Sequence, residues 1–374
     1  MIKVLIGNIL DSKMQTLVNT VNCVGIMGKG IAQRFKDAYP DMYKDYLSKC
    51  KRKIIKQGEP YIYSELSGTS IINFPTKDHW RSPSRIEYII QGLDLILLKY
   101  KDWGIESIAF PPLGCGNGGL MWEAVGPIMY QKLLELDIPV ELYAPMGIPN
   151  SQQNLEFLSK KTPISKKEVN QYLKKKITPE HLTILEVLFR LENLRHAPKV
   201  GRTIFQHLCY VLTEHGVKTG FNFNHGDFGP FSQDVKDIIT LLANSNLIQE
   251  IQLGKMIEIT SGVEYSNFRE KYKEKIHVYD AQIEKAVDLY CRIKNTSQSE
   301  EVTSVFYTIK QIKRNNPNII LKEEDVFNQI FQWKKDWNSA EKKSTVAAAI
   351  RNLVLLNWVE LEYSDVLPIL KIAV

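Results

Sequence analysis

No Cys-x-x-Cys pair occurs anywhere in these 374 residues; the five cysteines (Cys23, Cys50, Cys115, Cys209 and Cys291) are odd in number and scattered. This argues against a disulfide framework and against a zinc ribbon, and it favours a reducing, cytoplasmic setting. The seven histidines lack metal-ligand spacing, although His207 and His215 both sit near Cys209, so no metal site is expected. No apolar run is long enough to span a bilayer, which argues against a membrane partner. Met1-Ile-Lys-Val-Leu-Ile6 reads directly as the first strand rather than as a secretory signal. Internal repeats and low-complexity tracts are missing too. There is no Gly-Lys-Ser/Thr string and no six-residue dinucleotide glycine spacing, so neither a Walker A loop nor a Rossmann fingerprint is present.

What remains has the composition of a folded globular protein, with 44% hydrophobic and 24% charged residues. The chain is too long for one ordinary core, and two domains are expected. Net charge is a modest +6, but it is unevenly spread. Between residues 151 and 176, Lys160, Lys161, Lys166, Lys167, Lys174, Lys175 and Lys176 face only Glu156 and Glu168. Such a strip reads either as a solvated linker or as a contact for nucleic-acid phosphates.

Up to Pro145 short apolar strands alternate with amphipathic helices. Strands are expected at 3–7, 16–22, 70–74, 105–110 and 139–144, and helices at 31–39, 43–50, 84–100 and 121–136. This pattern predicts a largely parallel or mixed sheet covered on both faces. Two of its strands end in glycine loops that lead into helices. After 16–22 comes Cys23-Val-Gly-Ile-Met-Gly-Lys-Gly30; after 105–110 comes Pro111-Pro-Leu-Gly-Cys-Gly-Asn-Gly-Gly-Leu120. Each could be an ordinary tight turn. Two of the same construction at the carboxyl ends of neighbouring strands make a cleft suited to a diphosphate, because bare backbone N–H groups and helix N-termini favour anions.

A third strand end carries the reactive side chains. Asn73-Phe-Pro-Thr-Lys-Asp-His-Trp-Arg81 leaves the strand at 70–74, and Pro75 is expected to break it so that Thr76 and Lys77 begin an exposed loop. A lysine beside a bound diphosphate can serve as a cation, a base or a nucleophile towards a sugar carbon. Asn22, at the neighbouring strand end, would orient a ribose hydroxyl or a water.

Together these strings resemble a macrodomain, the ADP-ribose-binding α/β/α fold: Gly7-Asn-Ile9, Val18-Asn-Thr-Val-Asn22 with Gly28-Lys-Gly30, and Pro111 to Gly119. The lysine loop narrows the resemblance to the DarG type, DNA ADP-ribosyl glycohydrolase antitoxins paired with DarT-type toxins. The resemblance implies a three-layer α/β/α domain over residues 1–150, a basic linker over 151–177, and a mainly helical, winged-helix-like toxin-binding domain over 178–374. It implies Lys77 as the catalytic residue. It implies ADP-ribose contacts from Asn8, Ile9, Asn22, Gly28, Lys29, Gly30, Ile31, Thr76, Leu113, Gly114, Cys115, Gly116, Asn117, Gly118, Gly119 and Leu120.

The implied reaction is hydrolysis of the bond from ribose C1″ to a thymine or guanine of single-stranded DNA, releasing ADP-ribose without a cofactor. Its lysine must lose a proton, which burial and a neighbouring Lys29 or Arg81 would favour. Two departures stand out. Asn8 replaces the aspartate that many macrodomains place against adenine, and an amide can still hydrogen-bond there. No acid lies between Phe110 and Trp122, leaving Asp78, His79 or a substrate phosphate as the general acid/base.

Beyond residue 177, helices are expected at 182–194, 203–215, 234–243, 278–291, 301–313, 323–335 and 344–356. Two short strands around Gly254 complete a winged-helix-like pattern. His225-Gly-Asp-Phe-Gly-Pro-Phe-Ser232 resembles a turn found in helical partners of toxin–antitoxin systems, although Ser232 as an N-cap after a Gly-Pro turn explains it equally well. Trp333, Trp337 and Trp358 are expected to pack in the core. Two rival functions follow. One is a non-catalytic ADP-ribose reader tethered to a regulatory winged helix. The other, a DNA-binding regulator, is disfavoured because its recognition helix would carry Lys236 against Asp234 and Asp237.

Overall fold

A computed structural model of the chain describes residues 2–65, 68–159, 173, 176–254 and 256–369. Of the lysine strip, only Lys176 falls within them. The chain divides into two units, one of residues 1–177 with 236–245, the other of 178–235 with 246–374.

The first unit is built on a six-stranded sheet. Its order is β1 (Ile2–Leu5), β6 (Val140–Tyr143), β5 (Ile108–Phe110), β2 (Thr16–Val21), β4 (Ser70–Pro75) and β3 (Tyr61–Ser64). All pairings are parallel except β3 on β4. The edge strand β3 was not expected from the sequence. Its residues are half-buried or exposed rather than fully buried, so Tyr61-Ile-Tyr-Ser64 lacks the apolar run that marks the inner strands.

Helices α1 (Gly30–Ala38) and α2 (Pro40–Lys51) belong to one face of the sheet, and α3 (Ile86–Lys99) and α4 (Trp122–Leu133) to the other. Strand alternation makes the sorting. Leu17, Val21 and Ile71 face Phe35, Met42 and Tyr46, whereas Val18, Ile72 and Phe74 face Ile89, Leu93 and Val125. Burial of both faces is why β4 is buried at every position. Leu158 and Leu173, from the stretch read as a linker, also pack into the second of these cores. Asn154 caps the short helix α5 (Leu155–Leu158), its side chain accepting the Phe157 N–H at 2.8 Å.

The second unit is mainly helical. It begins with α6 (Pro179–Glu192) and α7 (Arg202–Glu214), followed by a small hairpin of β7 (Asn224–Gly226) and β8 (Gly229–Phe231). Helix α8 (Gln233–Asn244) straddles the division of the units. Next come the antiparallel strands β9 (Ile248–Leu253) and β10 (Met256–Ser261), turning at Gly254 as the winged-helix pattern predicts. The string 225–232 thus forms a hairpin rather than a bare turn, and Ser232 donates its hydroxyl to Asp234 at 3.3 Å. Six further helices follow: α9 (Tyr265–Lys271), α10 (Lys273–His277), α11 (Asp280–Arg292), α12 (Thr296–Asn315), α13 (Glu323–Trp333) and α14 (Ala340–Leu355). Trp337 and Trp358 are buried, the latter edge-on to His215 at 4.5 Å.

Glu186 and His207, two polar groups inside this unit, are held by specific partners. Glu186 of α6 accepts from Arg190 (2.8 Å), Arg269 (2.7 Å) and Tyr265 (2.8 Å). Burial alone would raise its carboxyl, but these donors outweigh it and hold the group at about 2. Buried His207 donates Nε2–H to the Phe228 carbonyl at 2.7 Å and accepts the Ser299 hydroxyl at Nδ1, 2.8 Å away. Both ring nitrogens are therefore used within the fold rather than for a metal.

Burial lowers His207 from 6.5 to about 4, and also His181 and His215 to about 4. The unfolded chain binds these protons first, so the stabilisation is complete above pH 6.5 and is lost as pH falls towards 4. For His207 alone the loss amounts to about 3 kcal/mol at most. Calorimetry of the full chain should show the transition of the second unit moving down through this pH window. His207→Asn should flatten that dependence; an unchanged pH profile in the variant would contradict it.

Candidate active site

Because β5, β2 and β4 are neighbours and parallel, their carboxyl ends deliver three loops to one edge of the sheet. The first, residues 22–29, is shaped by Asn22. Its Nδ2 donates to the Ile26 carbonyl at 2.6 Å, and its Oδ1 accepts the N–H groups of Val24 (3.0 Å) and Ile26 (3.3 Å). Tyr46 of α2 donates its hydroxyl to the Asn22 carbonyl at 2.7 Å. Asn22 thus fixes the loop from inside, a role that the sequence pattern did not indicate.

The lysine loop is fastened to this first loop. Thr76 N–H extends the β2–β4 ladder to the Val21 carbonyl at 3.1 Å, and Cys23 N–H donates to the Asp78 carbonyl at 2.7 Å. Cys23 Sγ lies 3.6 Å from the Lys77 carbonyl. These contacts correct the expectation of an exposed loop: Pro75 still belongs to β4, Thr76 is 2% exposed and Lys77 only 9%. Lys77 Nζ donates to the Asn117 carbonyl at 2.9 Å, so the amine is aimed at the second glycine loop.

Asn117 meets the first glycine loop as well. Gly30 has φ +63°, and a Cβ there would stand 2.9 Å from Asn117 Nδ2. The positive φ is what favours glycine here, and a side chain would also have to displace the Asn117 amide. The remaining link is Ser84, which the sequence suggested only as the start of a helix. The helix begins at Ile86; Ser84 is fully buried ahead of it. Its hydroxyl donates to Thr76 Oγ1 at 3.1 Å and its N–H to the Gly118 carbonyl at 2.9 Å. A Cβ at Gly118 would fall 2.2 Å from Ser84 Oγ, which is why glycine stands there. The Ser-Pro-Ser84 string before the helix was the available signal, and it reads equally well as capping chemistry.

The other predicted residues divide by position. Gly28, Lys29 and Gly30 are exposed at the start of α1, where no side chain caps the first N–H groups, and Ile31 is half-buried behind them. Gly114 and Gly118 are buried, Cys115 and Gly119 intermediate, and Gly116 and Asn117 exposed. Leu113 and Leu120 are core residues, so only their backbone is on offer to a ligand. Asn8 and Ile9 follow β1, which β6 and β5 separate from β2. Asn8 Nδ2 donates to Asp11 at 3.3 Å, which places a carboxylate beside the amide; Ile9 is buried.

Neither cysteine near the loops is a ready nucleophile. Burial, with Asp78 adding, pushes the Cys23 thiol up to about 12, and burial also raises Cys115 well above its ordinary value. His79 Nδ1 accepts the Arg81 N–H at 3.2 Å, leaving Nε2 to carry the ring proton. The arrangement therefore combines two glycine loops, each tightened by its own hydrogen bonds (the Cys115, Gly119 and Leu120 N–H groups donate to carbonyls of residues 112, 116 and 114), a helix start at Gly30, and one primary amine held against the second loop.

Comparison with known proteins follows the same line. A family model described as Macro domain matches residues 18–129. A Thermus aquaticus protein named DNA ADP-ribosyl glycohydrolase is 35% identical over 246 residues, 65% of this chain and 64% of that protein. The chain thus spans a little under two thirds of the length of that curated relative. A Thermosipho africanus protein named as a DNA ADP-ribosyl transferase–DNA ADP-ribosyl glycohydrolase fusion is 42% identical over 172 residues, 41% of this chain and 44% of the relative. Among solved structures, the macrodomain of Mycobacterium tuberculosis DarG is 44% identical, covers 39% of this chain and 98% of that one, and superposes with a TM-score of 0.38.

Removing the Asn22 side chain deletes the bonds that shape the first loop. Asn22→Ala should cost about 2 kcal/mol of stability, read from the urea unfolding of the first unit. Asn22→Asp keeps the acceptor and should lose less. Equal stability for wild type and Asn22→Ala would show that the loop is held by other means.

Proposed function

We propose that the first unit, whose residues 18–129 match a Macro domain model, removes ADP-ribose from DNA bases by hydrolysing the bond at ribose C1″. The observation that carries the reading is the 2.9 Å contact between Lys77 Nζ and the Asn117 carbonyl. It holds an amine against the glycine loop that would cradle the diphosphate. A module that only bound ADP-ribose would have no use for a buried amine at that place.

In this reading Gly28 to Ile31 line the diphosphate and distal-ribose side, Leu113 to Leu120 form the second phosphate loop through their backbone, and Thr76 supports Lys77. Asn22 serves by shaping the first loop, and Asn8 with Ile9 marks the adenine end. The C1″–N bond breaks with its electron pair going to the base nitrogen, which takes up a proton; water adds to C1″ and ADP-ribose leaves. The neutral Lys77 amine either faces the oxocarbenium-like carbon while water adds to it, or itself bonds to C1″ as the base departs, loses a proton and, with the ribose ring opening, becomes a Schiff base that water hydrolyses to free amine and ADP-ribose. Asp78, His79 or a substrate phosphate supplies the proton traffic.

The second unit, in the same reading, binds and silences a DarT-type toxin. The fused transferase–glycohydrolase relative from Thermosipho africanus supports that pairing of activities. Free thiols at all five cysteines suit a cytoplasmic protein.

Lys77→Ala should bind ADP-ribose with wild-type affinity by calorimetry, yet release it from an ADP-ribosylated single-stranded oligonucleotide at least about a hundredfold more slowly. Full release by the variant would remove Lys77 from the reaction.

A further inference from the structure

Just past Lys77 the chain builds a small stack, of which the hydrolysis gives no role to Trp80 or Arg81. The rings of His79 and Trp80 lie 5.4 Å apart at 34°, and the Arg81 guanidinium sits 4.6 Å above the Trp80 ring. The turn is tied by the Arg81 N–H to His79 Nδ1 bond at 3.2 Å and the Ser82 N–H to His79 carbonyl bond at 2.9 Å. Trp80 nonetheless remains 42% exposed. Val24 and Ile26 stand exposed on the first loop, which is fastened to the same segment through Cys23 and Asp78. The rim beside the buried amine is therefore aromatic, apolar and cationic together.

We infer that the His79–Trp80–Arg81 stack receives the single-stranded DNA flanking the modified base. A neighbouring nucleobase lies on the ring-and-guanidinium ladder, and Arg81 meets a backbone phosphate. This rests on the reading of the first unit as a DNA ADP-ribosyl glycohydrolase and names how it holds the DNA part of its substrate. Aromatic faces and guanidinium planes bind unpaired bases without sequence preference, and the cation adds phosphate attraction. Position agrees: the Cα atoms of residues 77 and 80 are at most about 11 Å apart, which puts the stack within reach of the nucleotides flanking a base seated at Lys77. Paired bases keep their faces to themselves, so the stack also selects single strands.

The test uses the full chain and a fluorescein-labelled, unmodified single-stranded oligonucleotide, with anisotropy as the readout. Trp80→Ala should weaken binding roughly tenfold or more, Trp80→Phe should retain most of it, and Arg81→Gln should reduce the salt dependence. With an ADP-ribosylated oligonucleotide, KM for Trp80→Ala should rise by a similar factor while its calorimetric affinity for free ADP-ribose stays at the wild-type value. No measurable binding of the unmodified strand by wild type, or identical affinity and KM in Trp80→Ala, would overturn the inference. Failure of wild type to release ADP-ribose would instead sink the hydrolase reading, because the anisotropy measurement does not depend on turnover.

Discussion

Asn117 is where three strand ends meet. Its carbonyl accepts the Lys77 amine at 2.9 Å, and its side-chain amide fills the space that a Cβ at Gly30 would need. A long, flexible side chain loses considerable rotamer freedom when confined to one geometry. Here the confinement comes from both ends: Cys23 and the β2–β4 ladder hold the backbone on either side of Lys77, and the glycine loop holds the tip. In the proposed reaction this positioning of the amine ahead of the ligand is what would lower the barrier through proximity.

That positioning depends on sheet order. β2 lies between β5 and β4, so the loops that follow them are adjacent although they come from residues 22–29, 76–85 and 111–121. The two helix layers keep this order rigid by burying both faces, with Phe74 and Phe110 on one side and Phe35 and Tyr46 on the other. Ser84 supplies the last constraint. It bridges Thr76 and Gly118, and its bulk explains a glycine that backbone conformation alone would not demand.

The strand–helix alternation, the two glycine loops and the lysine loop were legible because each has a local signature: apolar runs, bare glycines and a proline. The place of Lys77 at a strand end was legible, but its burial was not, because Pro75 reads as a strand breaker while the structure keeps it as the last residue of β4. Strand β3 escaped because an edge strand lacks the apolar pattern of the inner ones. Ser84 was invisible as a support, since its partners lie at Thr76 and Gly118, which no spacing rule connects to it; the Asn22 side chain bonds locally to Val24 and Ile26, but an asparagine at a strand end reads equally well as a ligand contact. In the second unit the hairpin at 224–231 was missed for a similar reason: Gly229-Pro230 reads as a turn but belongs to β8, and three-residue strands leave no periodicity.

The account turns on where the Lys77 amine stands relative to the sugar carbon that is cleaved. A crystal structure of the full chain with ADP-ribose tests this most directly. It should show the diphosphate between the Gly28–Gly30 and Gly114–Gly119 backbones, with Lys77 Nζ about 3.5 Å from C1″. A ligand bound in the same cradle with C1″ facing away from position 77 would contradict it.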